Sequence, residues 1–321
     1  MRSLQVYQCS ECLHRFALGD ASKHKSYPLK TILETISTFN GGHSVTETQA
    51  IIRRRLHIQI PERTISSWIA EHRSLATYAR LRGNAKSLFP PDQIVKSYTL
   101  QHRQIYRFQV HRAKLDILFR SSGMKDLAGL RSYFETVGPA YPHHLFADSV
   151  HRSSKFPTNF HPPITRKENH ATRLAALVLP TSPNNKKRHE TLQHFMLLND
   201  SVTVAVEVPV YLTRDDITYY RNRGFALDFD ADLITGHIDF LQIRNGFIHI
   251  LDFKPEARKE KHAHVQLTIY ALALARRAGL PLKVFKCGWF DEKDYFEFFP
   301  LQAVYPIKHT QVAGRGGDLQ S

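Results

Sequence analysis

One run constrains this chain more than any other feature: Gly236-His-Ile-Asp239-Phe-Leu-Gln-Ile-Arg-Asn245-Gly246-Phe-Ile-His-Ile-Leu-Asp252-Phe-Lys254. Asn-Gly between two apolar runs is the strongest short hairpin signal, because both residues tolerate the positive φ of a type I′ turn. A two-residue loop at 245–246 sets Arg244 opposite Phe247. Counting outward from it, Asp239 falls opposite Asp252, with both side chains on one face. Lys254, two residues on, points the same way, opposite His237.

Two opposed carboxylates at about 5 Å repel by roughly 3 kcal/mol at an effective dielectric of about 20. A strand pair otherwise built of Ile, Leu and Phe does not keep that arrangement for packing. Either one carboxylate is protonated or a divalent cation sits between them. Hard oxygen ligands with room for water and phosphate suit Mg²⁺ or Mn²⁺. A lysine beside them can orient or deprotonate a water, or stabilise the phosphorane-like charge of an attacked phosphodiester. The plain alternative is an ion-paired strand end in which Lys254 only neutralises Asp252.

The flanks add to the pattern. Before the hairpin runs Thr203-Val-Ala-Val-Glu207-Val-Pro-Val, a strand with one acid inside an apolar run. After it comes His264-Val-Gln266-Leu-Thr-Ile-Tyr270-Ala-Leu-Ala-Leu, a helix with Gln266 and Tyr270 four apart on one face. The ordered set of a strand Glu, GxxD, DxK and QxxxY resembles the PD-(D/E)XK nuclease superfamily, and within it the RecB-like branch that includes CRISPR-associated exonucleases. The resemblance covers about residues 184–300. It implies an α/β fold, a restriction-endonuclease-like core of mixed sheet flanked by helices. It also implies that Asp239 and Asp252 are metal-binding acids and Lys254 the catalytic lysine, with Gln266 and Tyr270 orienting the site and the substrate backbone. Relatives take a further ligand from the helix before the first strand. His189 fits, inside Lys186-Lys-Arg-His-Glu-Thr-Leu-Gln-His194, with Glu190 and His194 as rivals.

Two departures qualify the resemblance. The CRISPR-associated relatives often carry a four-cysteine iron–sulfur cluster, whereas Cys287 stands alone in this zone, so no cluster is expected. The second acid is Asp where Glu is common. Glu207 reads either as part of the motif or as a structural acid pairing with Lys254 or the helix.

The rest of the chain divides around this core. Lys and Arg number 44 against 29 Asp and Glu, a net charge of +15, which points to a polyanion, nucleic acid first. Ser44-Val-Thr-Glu47 is a capping box that opens a helix through about Arg55, and Pro61 is placed to begin the next. That second helix sets Ile65, Trp68 and Ile69 on one apolar face, leaving Arg63, Thr64, Ser66 and Ser67 mostly off it and suited to a major groove. With a preceding helix over Lys30–Asn40, this resembles the helix-turn-helix head of transposase-like and resolvase-like proteins. The bland reading is a three-helix unit whose polar face meets water.

Upstream, Cys9-Ser-Glu-Cys12 resembles one knuckle of a zinc ribbon, with His24 the better third ligand and His14 the poorer; a degenerate ribbon or two reduced thiols is the equal alternative. The expected division is a zinc knuckle at 1–25, an all-α helix-turn-helix domain at 26–88, a helical connecting region at 92–183, the nuclease core at 184–301 and a frayed tail at 302–321. In the connecting region, Ile105–Phe119 and Lys125–Val137 read as helices. Its Arg103, Arg107, Arg112 and Lys114 read either as lining a DNA channel or as solvated helix faces.

No apolar run approaches the ~20 residues that span a bilayer, and the N-terminus lacks a signal-peptide core, which reads as cytoplasmic. The expected function is a Mg²⁺- or Mn²⁺-dependent DNA nuclease, targeted by the N-terminal head in a mobile-element or defence setting. Homodimerisation or a mobile-element partner protein fits that setting. The rivals are a non-cutting DNA-binding regulator and an RNA-directed nuclease.

Overall fold

A computed structural model describes residues 6–8, 15–17, 27–74, 79–102, 104–121, 127–140, 142–147, 151–152, 156, 158, 160–184 and 187–305. Two short strands, β1 (Val6–Gln8) and β2 (Arg15–Ala17), pair antiparallel near the N-terminus. Cys9, Cys12, His14 and His24, expected to form a zinc knuckle, lie outside the described residues.

Three helices follow: α1 (Leu29–Asn40), α2 (Val45–Leu56) and α3 (Glu62–Glu71). The capping box forms: Glu47 N–H donates to Ser44 Oγ at 3.1 Å, and the Ser44 amide donates back to the Glu47 carboxylate at 2.7 Å. Gln49 Nε2 donates to Ile60 O at 2.7 Å and pins the link between α2 and α3. Ile32, Ile36, Ile52, Ile60, Ile65 and Trp68 make the core of this head. Tyr27 closes it edge-on against Trp68 at 5.2 Å. Arg63, Ser66 and Ser67 are exposed on α3 and Thr64 is half-buried.

Next come α4 (Ala79–Leu88) and α5 (Pro91–Ile94), and then a hairpin, β3 (Val95–His102) and β4 (Gln104–His111). This hairpin corrects the expectation of a helical connecting region. Residues 104–111 are strand, and the helix α6 begins only at Arg112 and runs to Ser121. The physical reason is a period-two alternation: Phe108 and Val110 are buried, while Ile105 and Arg107 face out. The helix expected over 125–137 is present as α7 (Ala128–Val137). Lys114 is neither channel-lining nor solvated. It is fully buried, and its Nζ donates to Leu197 O at 2.6 Å and Thr203 O at 3.3 Å. Burial brings its pKa down to about 7.

Then follow α8 (His143–Ala147), β5 (His151–Arg152), β6 (Thr165–Arg166), α9 (His170–Val178) and α10 (Arg188–Asn199). The C-terminal half adds β7 (Thr203–Thr213), α11 (Arg214–Arg221), β8 (Leu233–Arg244), β9 (Phe247–Phe253) and α12 (Ala263–Ala278). It ends with β10 (Phe285–Phe290), β11 (Tyr295–Phe298) and α13 (Pro300–Val304). The described strands from β3 onward form one mixed sheet, ordered β3-β4-β7-β8-β9-β10-β11-β6, with β5 pairing to β8. The pairing of β9 with β10 is parallel, and α12 makes that crossover.

Helices cover both faces. α7 and α12 bury one face through residues such as Leu130, Phe134, Leu267 and Leu274. α9 and α10 bury the other over Val206, Phe240, Leu251 and Phe253, and Leu29 and Leu33 of α1 join that second core. The head is therefore docked on the sheet domain. Its contact with α10 includes a buried polar network: Asn40 Nδ2 donates to Asn199 Oδ1 at 2.8 Å, and Asn199 Nδ2 donates to Ser37 Oγ at 2.8 Å. No helix among the described residues is long and apolar enough to cross a membrane.

Candidate active site

The central hairpin forms in the expected register. Phe240 pairs with Leu251 and Arg244 with Phe247, and Asn245 and Gly246 take φ of 51° and 75°, as a type I′ turn requires. Asp239 and Asp252 are the next facing positions outward. The two carboxyl groups are buried close enough together that the charge on Asp239 disfavours ionisation of Asp252. Asp252 is 4% exposed.

Helix α10 delivers His189 to this pair, with Nδ1 3.1 Å from Asp239 Oδ2. The rivals Glu190 and His194 are exposed on the same helix, turned from the site by the helical repeat. Phe253 N–H also donates to Asp239 Oδ2, at 3.2 Å. Lys254 Nζ stands 2.8 Å from Asp252 Oδ2, an ion-pair contact without the alignment of a hydrogen bond. The same ammonium donates to Gln266 Oε1 at 3.0 Å, and Gln266 Nε2 donates to Tyr270 Oη at 2.8 Å. Gln266 and Tyr270, one turn apart on α12, thus act as a strut behind the lysine.

His237 departs from its expected place opposite Lys254. Its ring stacks on Tyr106 of β4, with centroids 3.9 Å apart and planes 7° from parallel. Gly236, one residue earlier, is where Tyr270 packs: a Cβ there would lie 2.2 Å from Tyr270 Cε1.

Glu207 and Gln193 enlarge the cluster. The pairs Val206–Phe240 and Val208–Ile238 bracket Glu207 and set it across from Asp239. Glu207 has φ of 52°, a left-handed conformation rare for a non-glycine residue inside a strand. Gln193 Nε2 donates to Glu207 Oε1 at 2.7 Å. Gln193 lies one turn beyond His189, so the i, i+4 spacing on α10 was the signal that could have found it.

The electrostatics follow from three carboxyls in one low-dielectric pocket. Burial and then the Asp239 carboxylate push Asp252 well above the usual range. Burial and Asp239 likewise push Glu207 up to about 7. Asp239 would be raised by burial too, but His189 holds it at about 2. His189 and Lys254 are both raised: burial works against their charge, and the carboxylates outweigh it.

Among the described residues, no three His, Cys, Asp or Glu side chains stand in a ready-made metal cage. The donors are held by neighbouring side chains instead, through the His189–Asp239 and Lys254–Asp252 contacts. A divalent cation nonetheless suits what is there. Three carboxyl groups face two cationic side chains, and the buried Asp252 Oδ2 makes no hydrogen bond. Oxygen donors of this kind are hard ligands of the Mg²⁺ or Mn²⁺ type.

A mixed sheet flanked by helices, with two acids and a lysine on its central hairpin, defines a restriction-endonuclease-like α/β core. The family model of the PD-(D/E)XK nuclease superfamily matches residues 143–299, and the chain carries a domain of that superfamily there. The match begins well before residue 184, the expected start of the core, and so takes in α8, α9, β5 and β6. Neither a curated protein nor a solved structure matches the chain.

Proposed function

We propose that this protein is a metal-dependent nuclease of RecB-like type that hydrolyses DNA phosphodiester bonds, brought to its substrate by the N-terminal three-helix head. The observation that carries the reading is the placing of Asp239 and Asp252 just beyond the Phe240–Leu251 pair of the central hairpin, with Lys254 2.8 Å from Asp252, inside a superfamily domain whose members are generally nucleases. Asp239 and Asp252, with His189 and Glu207 beside them, would hold Mg²⁺ or Mn²⁺. Bound there, the metal supplies Lewis-acid stabilisation of charge on the scissile phosphate and the leaving oxygen.

Lys254 keeps its proton, because the carboxylates beside it raise its pKa. It therefore serves as a donor that orients the attacking water and as a positive charge facing the phosphate, not as the base. Gln266, anchored by Tyr270, fixes where that ammonium points. His189 holds Asp239 ionised and oriented. On the head, Arg63, Thr64, Ser66 and Ser67 of α3 would meet the major groove of duplex DNA.

The test is incubation of the full chain with linear, circular and single-stranded DNA in Mg²⁺, Mn²⁺ or EDTA. Cutting in either metal that stops in EDTA supports the nuclease, and the circular substrate reports whether an end is needed. Salt-sensitive binding with no cutting in any metal would replace the nuclease by a DNA-binding regulator. Cutting of RNA alone would change the substrate.

A further inference from the structure

Three separate elements bring charged side chains around His194 of α10, the helix that also carries His189. The first is the last turn of α2, where Arg53, Arg54 and Arg55 are all exposed. The second is β4. Gln109 pairs with Val206, whose side chain lies in the core beneath α9 and α10. Directly paired residues share a face, and residues two apart on a strand share it too. Arg107 is thus on the α10 side of the sheet. It stands two residues past the Gln109–Val206 pair, where β4 and β7 stop pairing, and it is exposed. The third is α10 itself, which presents His194 one turn beyond Glu190.

Arg55 and Arg107 both lie close enough to His194 to disfavour its charged form, after the larger effect of crowding around the ring. Arg53, Arg54, Arg55 and Arg107 make no ion pair with any acid among the described residues, and Glu190 is the one acid whose charge also reaches His194. Exposed guanidiniums without acid partners, gathered from three elements onto one face, match the spacing freedom and charge of a phosphate backbone.

The docking of the head makes this gathering rigid. α1 is fixed to α10 by Leu29 and Leu33 in the shared core and by the Asn40–Asn199–Ser37 network. Arg82 of α4 adds a further tie, donating from Nε to Phe39 O at 2.8 Å and from its terminal nitrogen to His43 O. The head that carries α2 is therefore held on α10, the helix that bears both His189 and His194.

We propose that Arg55, Arg107 and His194 form a backbone-binding saddle for double-stranded DNA, over which a duplex held by the head passes across α10 to the carboxylate cluster. This inference rests on the nuclease reading above. It adds that the cut falls at a fixed distance from the bases read by α3.

The test measures binding without cutting, in full-length Asp252→Asn protein, by fluorescence anisotropy of a labelled 40-base-pair duplex across a KCl series. Arg55→Ala with Arg107→Ala is expected to lower affinity about tenfold near 0.1 M salt. The slope of log K against log salt should become shallower by roughly 2, at about 0.9 per phosphate contact. Arg55→Lys with Arg107→Lys should keep most of the slope, which separates charge from any misfolding of the alanine pair. Arg223→Ala with Lys283→Ala, on exposed residues outside both the saddle and the cluster, should leave it unchanged. An unaltered slope in the alanine pair overturns the saddle while leaving the nuclease reading intact. A parent that binds no duplex overturns both. A slope change seen with duplex RNA and absent with duplex DNA overturns the assigned partner.

Discussion

Gln193 on α10 donates a hydrogen bond at 2.7 Å to Glu207, which lies across from Asp239 and holds a left-handed backbone with φ of 52° inside a strand. Strain of this kind costs about 1–3 kcal/mol and persists only where the surroundings over-determine it. Here the surroundings are a helix side chain on one side and the paired strand β8 on the other. The conformation brings a third carboxyl into a pocket that already holds two.

Removing the helix contact should expose its purpose. Gln193→Ala deletes a bond to a charged acceptor, worth about 1.5–3 kcal/mol, so cleavage is expected to fall roughly 10- to 100-fold. The bond also favours the ionised form of Glu207. The pH–rate profile of the variant should therefore move to higher pH, which a purely structural defect would not produce. An unmoved profile with a uniformly lower rate would assign Gln193 to packing alone.

Glu207 also sets a sign for stability against pH. In the unfolded chain its carboxyl loses its proton near 4.5, whereas in the fold it keeps the proton up to about 7. The fold then binds more protons in that window, so this contribution declines as pH rises from about 4.5 to about 7. Other groups titrate there, so the quantity to measure is wild type minus Glu207→Gln in thermal melts with EDTA. That difference should fall by on the order of 2 kcal/mol across the window. Mg²⁺ should restore more stability at pH 8 than at pH 5, since it competes with protons for the same oxygens.

Gly236 is needed because Tyr270 occupies the place of its side chain. Gly236→Ala puts a methyl 2.2 Å from Tyr270 Cε1 and must push the ring aside. A destabilisation of about 1–3 kcal/mol is expected, with loss of the Tyr270–Gln266–Lys254 strut and hence of cleavage. Combining it with Tyr270→Leu should recover melting temperature without recovering activity. Recovery of both would show that the strut does not serve the lysine.

Asn199 tests the docking of the head. Asn199→Ala leaves Asn40 Nδ2 and Ser37 Oγ facing a buried gap, which should cost about 2–3 kcal/mol in urea unfolding. Asn40→Leu with Asn199→Leu should cost less than Asn199→Ala alone, since it removes both amides together. An exposed network would instead give values near zero.

The hairpin and its register were legible because a two-residue turn fixes every facing pair by counting, and side chains alternate with period two. That arithmetic set Asp239 against Asp252, and the i, i+4 rule set Gln266 over Tyr270. The partner of Asp239 was not countable. His189, His194 and Glu190 differ only in which way a helix is rolled, which packing over Phe240 and Phe253 decides. The positive φ of Glu207 is likewise invisible, since nothing in Val-Glu-Val marks a kink. In the stretch 104–111, apolar residues continuing into α6 imitated one long helix, and only the buried Phe108 and Val110 against exposed Ile105 and Arg107 reveal the strand. Lys114 misled through its charge, because two backbone carbonyls satisfy it inside the core.

The most direct test compares initial rates of DNA cleavage in Mg²⁺ for wild type and Asp252→Asn, with both proteins shown to melt cooperatively and to bind DNA. Asp252→Asn keeps the shape of the side chain while removing the charge that would hold the cation. The expected result is metal-dependent cutting by wild type and a loss of at least about a thousandfold in the variant, with its melting temperature in EDTA equal or higher. Undiminished cutting by Asp252→Asn would contradict the assignment of the paired aspartates as the catalytic centre.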